Sequence, residues 1–205
     1  GALHHEDEVR DRGRVDGAAC ARAEDHADLR DHAGSAHVAQ EDLAVAREGG
    51  DALLDARATG IVCPMVNNRA EAEAFVGACR YSPEGNRSWG PVRIPFDNPP
   101  EYKDWANKNI ATLAMIETQE ALDNLDEILT TPGLDAIYVG PSDLAIGLGE
   151  SPDGMARAPK VIAAIDAIYA AAVKHDVIPC IHTGSGGMAK EYLAKGWRLT
   201  TIQND

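Results

Sequence analysis

The first sixty residues contain no Ile, Met, Phe, Tyr, Trp, Pro, Lys or Asn. A stretch so poor in large apolar side chains buries too little surface to offset chain entropy, so it has no core of its own. Basic charge is also scarce. Lys and Arg number 19 against 33 Asp and Glu, a formal net charge of −14. A surface of that sign repels phosphate backbones and anionic lipid, which argues against nucleic-acid and membrane-surface partners. A small anionic substrate is still allowed, because a bound cation reverses the local field. No apolar run approaches the roughly 20 residues that span a bilayer, and the N-terminus lacks the basic-then-apolar layout of a signal peptide. Cys20, Cys63, Cys79 and Cys180 show no C-x-x-C spacing. This disfavours a zinc knuckle or disulfide framework and fits a reducing cytoplasm.

Composition changes sharply near residue 60. Residues 1–60 draw mainly on Ala, Asp, Glu, Arg, Gly, His, Val and Leu, and hold five of the seven histidines. No window there reads as a buried strand. Residues 1–50 are therefore expected to be an aberrant, poorly ordered segment. It is either a disordered acidic extension or sequence that is not native coding, since GC-rich codons read in a wrong frame would tend to give this residue set.

From about residue 51 the pattern is that of a folded domain. DALLDARA (51–58) reads as a helix end, and TGIVCPMV (59–66) as a buried parallel strand. Residues 68–80 place Ala72, Phe75, Val76 and Cys79 at helical spacing. A Gly-, Pro- and Arg-rich loop leads to a short helix around 100–108. ATLAMIE (111–117) is a strand, 118–133 a helix with a Pro-Gly stop, and LDAIYVG (134–140) a strand followed by PSDLAIGLG. A helix over 159–175 has Pro in its first turn, VIPCIHTG (177–184) is a strand, 185–196 a helix, and 197–205 a further strand.

Strands that are apolar on both faces and alternate with helices make a parallel sheet with covered faces. No G-x-G-x-x-G follows a strand, so the dinucleotide-binding open sheet has no support. Polar residues gather instead at strand C-terminal ends: Asn67, Glu117, Ser142 with Asp143, His182 with Thr183, and Asn204 with Asp205. Barrels build their chemistry at that rim. The fold expected is a (β/α)8 TIM barrel of class α/β.

Glu117 closes one strand and Asp143 lies just beyond the next. Neighbouring strands run about 4.8 Å apart, so the two carboxylates can share a hard cation at about 2.0–2.2 Å. The same residues also suit plainer roles, Glu117 at the start of the following helix and Asp143 as a helix N-cap. Spacing alone leaves both readings open.

The words AMIETQEALDNLDEIL (114–129) and GLDAIYVGPSDLAIGLG (133–149) resemble the HpcH/HpaI aldolase family of metal-dependent 2-keto acid aldolases. CPMVNNRAEAEAFVGACRYSPEGNRSWGPVR (63–93) and the terminal GWRLTTIQND are similar to it as well. The resemblance runs over about 51–205 and implies a barrel of which this chain carries strands four to eight. It implies Mg²⁺ or Mn²⁺ on Glu117 and Asp143, and a keto-acid carboxylate held by backbone N–H groups at Ser142 and Asp143. The activity it implies is reversible cleavage of a 4-hydroxy-2-keto acid to pyruvate and an aldehyde. A substrate of the 2,4-dihydroxyhept-2-ene-1,7-dioate type from aromatic-compound catabolism is one such acid. A cytoplasmic homo-oligomer is expected.

This chain departs from the family at several places. The family's general-base His and carboxylate-binding Arg should precede residue 50, and neither is identified. EDHADL (24–29) superficially matches the family's Glu-His element, but the base is not carried over to His26. Met115 stands where some members have Gln, and Arg57 where the family tends to use a helix-ending Gly. His182 is a weak candidate base, with a structural role weighing more. Every lysine (103, 108, 160, 174, 190, 195) falls on a helix or loop, which disfavours a Schiff-base route. Arg80, Arg87 and Arg93 read as solvated loop residues, His175 as a surface residue at a helix C-terminus, and Cys63 and Cys180 as packed hydrophobes. Two other functions remain in view. One is a citryl- or malyl-CoA-type lyase, and the other a non-catalytic fragment whose unpaired strand edges seek a partner.

Overall fold

The computed structural model describes residues 38–40, 50–90, 101–152 and 158–202. They contain six strands, β1 (Val38–Gln40), β2 (Gly60–Cys63), β3 (Ala111–Met115), β4 (Ala136–Val139), β5 (Ile178–Thr183) and β6 (Leu199–Ile202), all parallel and ordered β1-β2-β3-β4-β5-β6. Each strand pairs with the next in sequence and the order never reverses. That is the winding of a barrel rather than of a doubly wound sheet. The helices are α1 (Gly50–Asp55), α2 (Arg69–Cys79), α3 (Tyr102–Asn109), α4 (Gln119–Asp123), α5 (Leu125–Leu129), α6 (Pro141–Gly147), α7 (Pro159–Lys174) and α8 (Gly186–Ala194).

Alternate strand residues part into two cores, as a period of two requires. Val62, Leu113, Met115, Ala136, Tyr138 and Cys180 pack together on one sheet face. That face is the lining of the curled sheet. Ile61, Cys63, Ala114, Ile137, Val139 and Ile181 point the other way and meet Phe75, Ile128, Leu144, Ile165 and Ile168 from the helices. Two faces buried in this way explain why the strands read as unbroken apolar runs.

Three local features differ from the sequence reading. A strand exists at Val38–Gln40, pairing with β2, where no window had signalled one. VAQ is too short and too small in side chain to stand out against its surroundings. The helix expected over 118–133 is two helices broken at Asn124, whose backbone leaves the helical region (φ −101°, ψ 13°). The Asn124 side-chain amide donates to the carbonyl of Asn67 at 3.0 Å, so a tertiary contact fixes the break. PSDLAIG, to which the sequence reading assigns no element, is helix α6 with Pro141 in its first turn. The expectations for residues 1–37 and 41–49, including His26, lie outside the described residues, as do those for Arg93, Asn204 and Asp205.

Arg57 occupies the position flagged above, with φ 79°. A left-handed residue with a Cβ is strained by about 1–2 kcal/mol, partly offset by the roughly 0.5–1 kcal/mol of extra entropy that Gly loses on folding. Arg57→Gly is expected to gain about 0.5–1 kcal/mol, seen as a rise of roughly 1–4 °C in Tm by calorimetry. An unchanged or lower Tm would show that the Arg57 side chain contributes more than the strain removes.

Candidate metal centre

The end of β3 and the start of α6 build the site. Glu117, two residues past Met115 on the inward-facing side, is 3 % exposed. A carboxylate so buried carries a desolvation penalty of several kcal/mol unless countered by donors or positive charge. The backbone N–H of Met65 donates to Glu117 Oε2 at 2.9 Å. Met65 reaches that place with a left-handed backbone (φ 58°), while its side chain stays half exposed at 47 %. Strain at a branchless residue beside a buried carboxylate marks a position that the surroundings enforce.

Asn67 ties the β2 tip to the same corner. The Thr118 hydroxyl donates to Asn67 Oδ1 at 2.5 Å, and Thr118 Oγ1 accepts from the N–H of Ala121 at 3.0 Å, capping α4. Glu117 is therefore held from both sides, by Met65 through its carboxylate and by Thr118 through its neighbouring backbone.

Asp143 comes from α6 and is exposed. The two carboxylates meet at Gly140. A Cβ placed on Gly140 would lie 3.0 Å from Glu117 Oε1, 3.3 Å from Asp143 Oδ2 and 3.0 Å from Met115 Cε. The oxygens can be no farther apart than the first two of those distances summed. Two oxygens on one Mg²⁺ lie about 3–4 Å apart, given bonds near 2.1 Å, so small side-chain adjustments bring both onto one ion. Gly140 has ordinary extended backbone (φ −93°, ψ 96°). Its glycine is needed for the niche, not for its conformation.

Among the described residues no group of three or more His, Cys, Asp or Glu side chains converges. The donor set is two hard carboxylate oxygens beside a space that a single methyl would fill. That suits a cation such as Mg²⁺ or Mn²⁺, which retains several positions for water or a chelating ligand, better than it suits zinc. Asp143 is not an N-cap: Gly140 holds that position, and no side chain caps α6. Because Pro141 has no N–H, Ser142 and Asp143 carry the first backbone donors of the helix. Ser142 is half-buried.

His182, on β5, is half-buried, and its Nδ1 pairs with Thr201 Oγ1 at 2.9 Å. The Thr201 hydroxyl also lies 2.5 Å from Tyr138 Oη. Neither Tyr138 nor Thr201 was singled out from the sequence, and their alternation within β4 and β6 was the only signal available. Burial pushes the Tyr138 phenol above its ordinary range and outweighs the opposing hydrogen bond with Thr201, with smaller additions from Cys180 and Glu117. Burial likewise pushes Cys180 up to about 12, so it stays a thiol and a packing residue. Cys63 is buried too.

The loop arginines correct the sequence reading. Arg80 and Arg87 are 6 % and 5 % exposed. Arg80 Nη2 pairs with Asp135 Oδ2 at 3.2 Å, and Arg87 Nη2 with Asp55 Oδ1 at 2.7 Å. Arg87 also lies over the Tyr81 ring, 4.5 Å from its centroid. They fasten the loop to the barrel and are not solvated. His175 caps α7 and pairs with Asp126. All lysines sit on helices or a helix cap, and Lys160 Nζ donates to the carbonyl of Leu148 at 2.8 Å. None is on a strand. No described helix is long and apolar enough to cross a membrane.

The HpcH/HpaI aldolase/citrate lyase model matches residues 20–201. The match begins well before residue 51, so the family pattern extends into the segment set aside on composition. A hydroxypyruvate/pyruvate aldolase of Rhizorhabdus wittichii is 43% identical over 153 residues, covering 75% of this chain and 61% of the relative. A 5-keto-4-deoxy-D-glucarate aldolase of Shigella dysenteriae is 38% identical over 155 residues, covering 75% and 60%. The chain thus spans about 60% of the length of these relatives. The crystal structure of an HpcH/HpaI aldolase/citrate lyase family protein from Burkholderia cenocepacia superposes with TM-score 0.73 at 28% identity, covering 88% of this chain and 73% of that one. With a parallel sheet in barrel order and paired rim carboxylates, this chain belongs to the HpcH/HpaI aldolase/citrate lyase family.

Proposed function

We propose that this chain is a carbon–carbon lyase that cleaves a 4-hydroxy-2-keto acid reversibly to pyruvate and an aldehyde, using Mg²⁺ or Mn²⁺ held by Glu117 and Asp143. The observation that carries the reading is the meeting of those two carboxylates at the Gly140 niche. The relatives named as aldolases of keto acids support the reaction class. A cytoplasmic, homo-oligomeric setting belongs to the same proposal.

When bound, the cation supplies Lewis acidity, which lets the electron pair of the breaking C3–C4 bond settle on the keto oxygen. The protein's part is positional. Met65 N–H fixes Glu117 Oε2, leaving Oε1 turned toward Gly140 and Asp143. The main-chain N–H groups at Ser142 and Asp143 hold the substrate carboxylate, and the absent Cβ of Gly140 leaves room for the keto carbon. The proton on the C4 hydroxyl has to pass to a base, a step worth about 10²–10⁴-fold. No described residue is assigned that role.

Titration with Mn²⁺ followed by thermal denaturation tests the proposal. A ligand that binds only the native state stabilises it by about 2.7 kcal/mol at a hundredfold excess over Kd. Wild type is expected to gain that stability, and Asp143→Ala to lose it. Mn²⁺-dependent exchange of the pyruvate C3 protons should vanish in the same variant. Equal thermal shifts in the two proteins would place the ion elsewhere and end the reading.

A further inference from the structure

Glu117, Gly140, His182 and Thr201 stand at one level on four consecutive strands. The register fixes this: Met115 aligns with Tyr138, Val139 with Ile181, and His182 with Thr201. At about 4.8 Å per strand, His182 is one strand beyond Gly140 and about 10 Å in backbone from Glu117. Gly140, which has no side chain, is the residue that stands between the two at this level.

The protons in the Tyr138–Thr201–His182 chain can be counted. Thr201 Oγ1 has two hydrogen-bond partners, Tyr138 Oη at 2.5 Å and His182 Nδ1 at 2.9 Å. A hydroxyl has one proton to give and two lone pairs to receive. In one direction Tyr138 donates to Thr201 and Thr201 donates to His182 Nδ1, so both hydroxyl protons are used and the imidazole proton lies on the half-buried Nε2. In the other, His182 Nδ1–H donates to Thr201 and Thr201 to Tyr138. The phenolic proton is then stranded on a residue that is 7 % exposed. A buried donor without an acceptor costs about 1–3 kcal/mol. Placing protons on both Tyr138 and His182 toward Thr201 strands the threonine proton instead. The first arrangement wins.

We infer that the Tyr138–Thr201–His182 chain fixes the imidazole of His182 with its proton on Nε2, making that nitrogen a hydrogen-bond donor to the C4 oxygen of the bound hydroxy-keto acid. Nε2 has no partner among the described residues, and His182 is half-buried, so the nitrogen is available to a ligand. The identity of the acceptor rests on the lyase reading above. With the substrate's carboxylate on the α6 amides and its keto oxygen on a cation held by Glu117 and Asp143, the C4 oxygen would be the polar atom left for Nε2 to meet. A donor there stabilises negative charge on that oxygen during cleavage and polarises the aldehyde carbonyl in the reverse direction. A nitrogen already carrying its proton cannot take the one from the C4 hydroxyl. His182 is thereby a catalytic donor and not the general base, and Thr201 and Tyr138 are positioning residues that act through it.

Long-range ¹H–¹⁵N correlation spectra of the ¹⁵N-labelled chain distinguish the protonated ring nitrogen from the bare one, with His182→Gln assigning the signal. Near neutral pH, without ligand, His182 is expected to be the Nε2–H tautomer. Thr201→Val and Tyr138→Phe should each give a mixture of tautomers. A wild-type His182 protonated at Nδ1 would overturn the inference, and this measurement needs neither metal nor substrate. With Mg²⁺ present, 4-hydroxy-2-oxopentanoate should move the Nε2 signal while 2-oxopentanoate, which lacks the C4 oxygen, should not. If both acids move the Ser142 and Asp143 amides and neither moves Nε2, the contact to the C4 oxygen is refuted. If neither acid moves any amide, the lyase reading falls, and the ligand-free spectrum still decides the tautomer.

Discussion

Replacing Gly140 by alanine is expected to abolish stabilisation by Mn²⁺ while leaving the metal-free protein close to wild type. The added methyl would sit 3.0 Å from Glu117 Oε1 and 3.3 Å from Asp143 Oδ2, in the space the ion and substrate would occupy. The three atoms it meets are side-chain ends: exposed Asp143 can turn aside, and buried Glu117 and Met115 need give only a few tenths of an ångström. The backbone at Gly140 suits any residue, and exchanging Gly for Ala at such a place gains about 0.4–1 kcal/mol through the unfolded chain. The metal-free Tm should thus move little. Turning the carboxylates apart destroys the geometry that two bonds of about 2.1 Å demand. The apparent Kd for Mn²⁺ should rise at least about a hundredfold, or roughly 2.7 kcal/mol. Calorimetric titration measures it. A Kd within a factor of two or three of wild type would mean the ion does not lie between these oxygens.

How far the site could be read beforehand depended on the range of the interactions concerned. The strands were legible because both sheet faces are buried, so runs such as Ile61–Cys63 and Ile137–Val139 are apolar throughout. The closeness of Glu117 and Asp143 was legible because each lies in a compact word at a strand end. What was hidden acts at long range. Arg80 and Arg87 looked like solvated loop residues because their carboxylates, Asp135 and Asp55, are 55 and 32 positions away. The Met65 amide that orients Glu117 is 52 positions from it and depends on a backbone angle that no side chain announces. Helix α6 was masked by its own brevity and by the glycines at and around its ends, Gly140, Gly147 and Gly149, which count against helix. At Gly140 and Gly147 the use of glycine is steric, which depends on neighbours that the sequence does not name.

Gly147 gives the second large effect, since it sets the distance between the two elements that carry the carboxylates. A Cβ on Gly147 would lie 2.1 Å from the carbonyl oxygen of Glu117 and 3.2 Å from Thr118 Cα. These are backbone atoms at the end of β3 and cannot rotate away as a side chain can. Gly147→Ala must therefore push α6 off the strand tip or shift Glu117. Overpacking of this kind costs about 1–3 kcal/mol, and because α6 carries Asp143 the strain would fall on the geometry of the proposed metal site. Lower stability alone would not separate this from any damaged helix end, so Gly149→Ala is the control. Gly149 has φ 78° and no atom within 4 Å of an added Cβ. Its alanine variant pays for left-handed backbone, about 1–2 kcal/mol, without touching Glu117. Both variants should lose a comparable amount of stability in urea. Only Gly147→Ala should also weaken Mn²⁺, by about tenfold or more, measured as free Mn²⁺ by electron paramagnetic resonance below the unfolding range. Equal Mn²⁺ affinities in the two variants would show that the contact between α6 and Glu117 does not set the carboxylate separation.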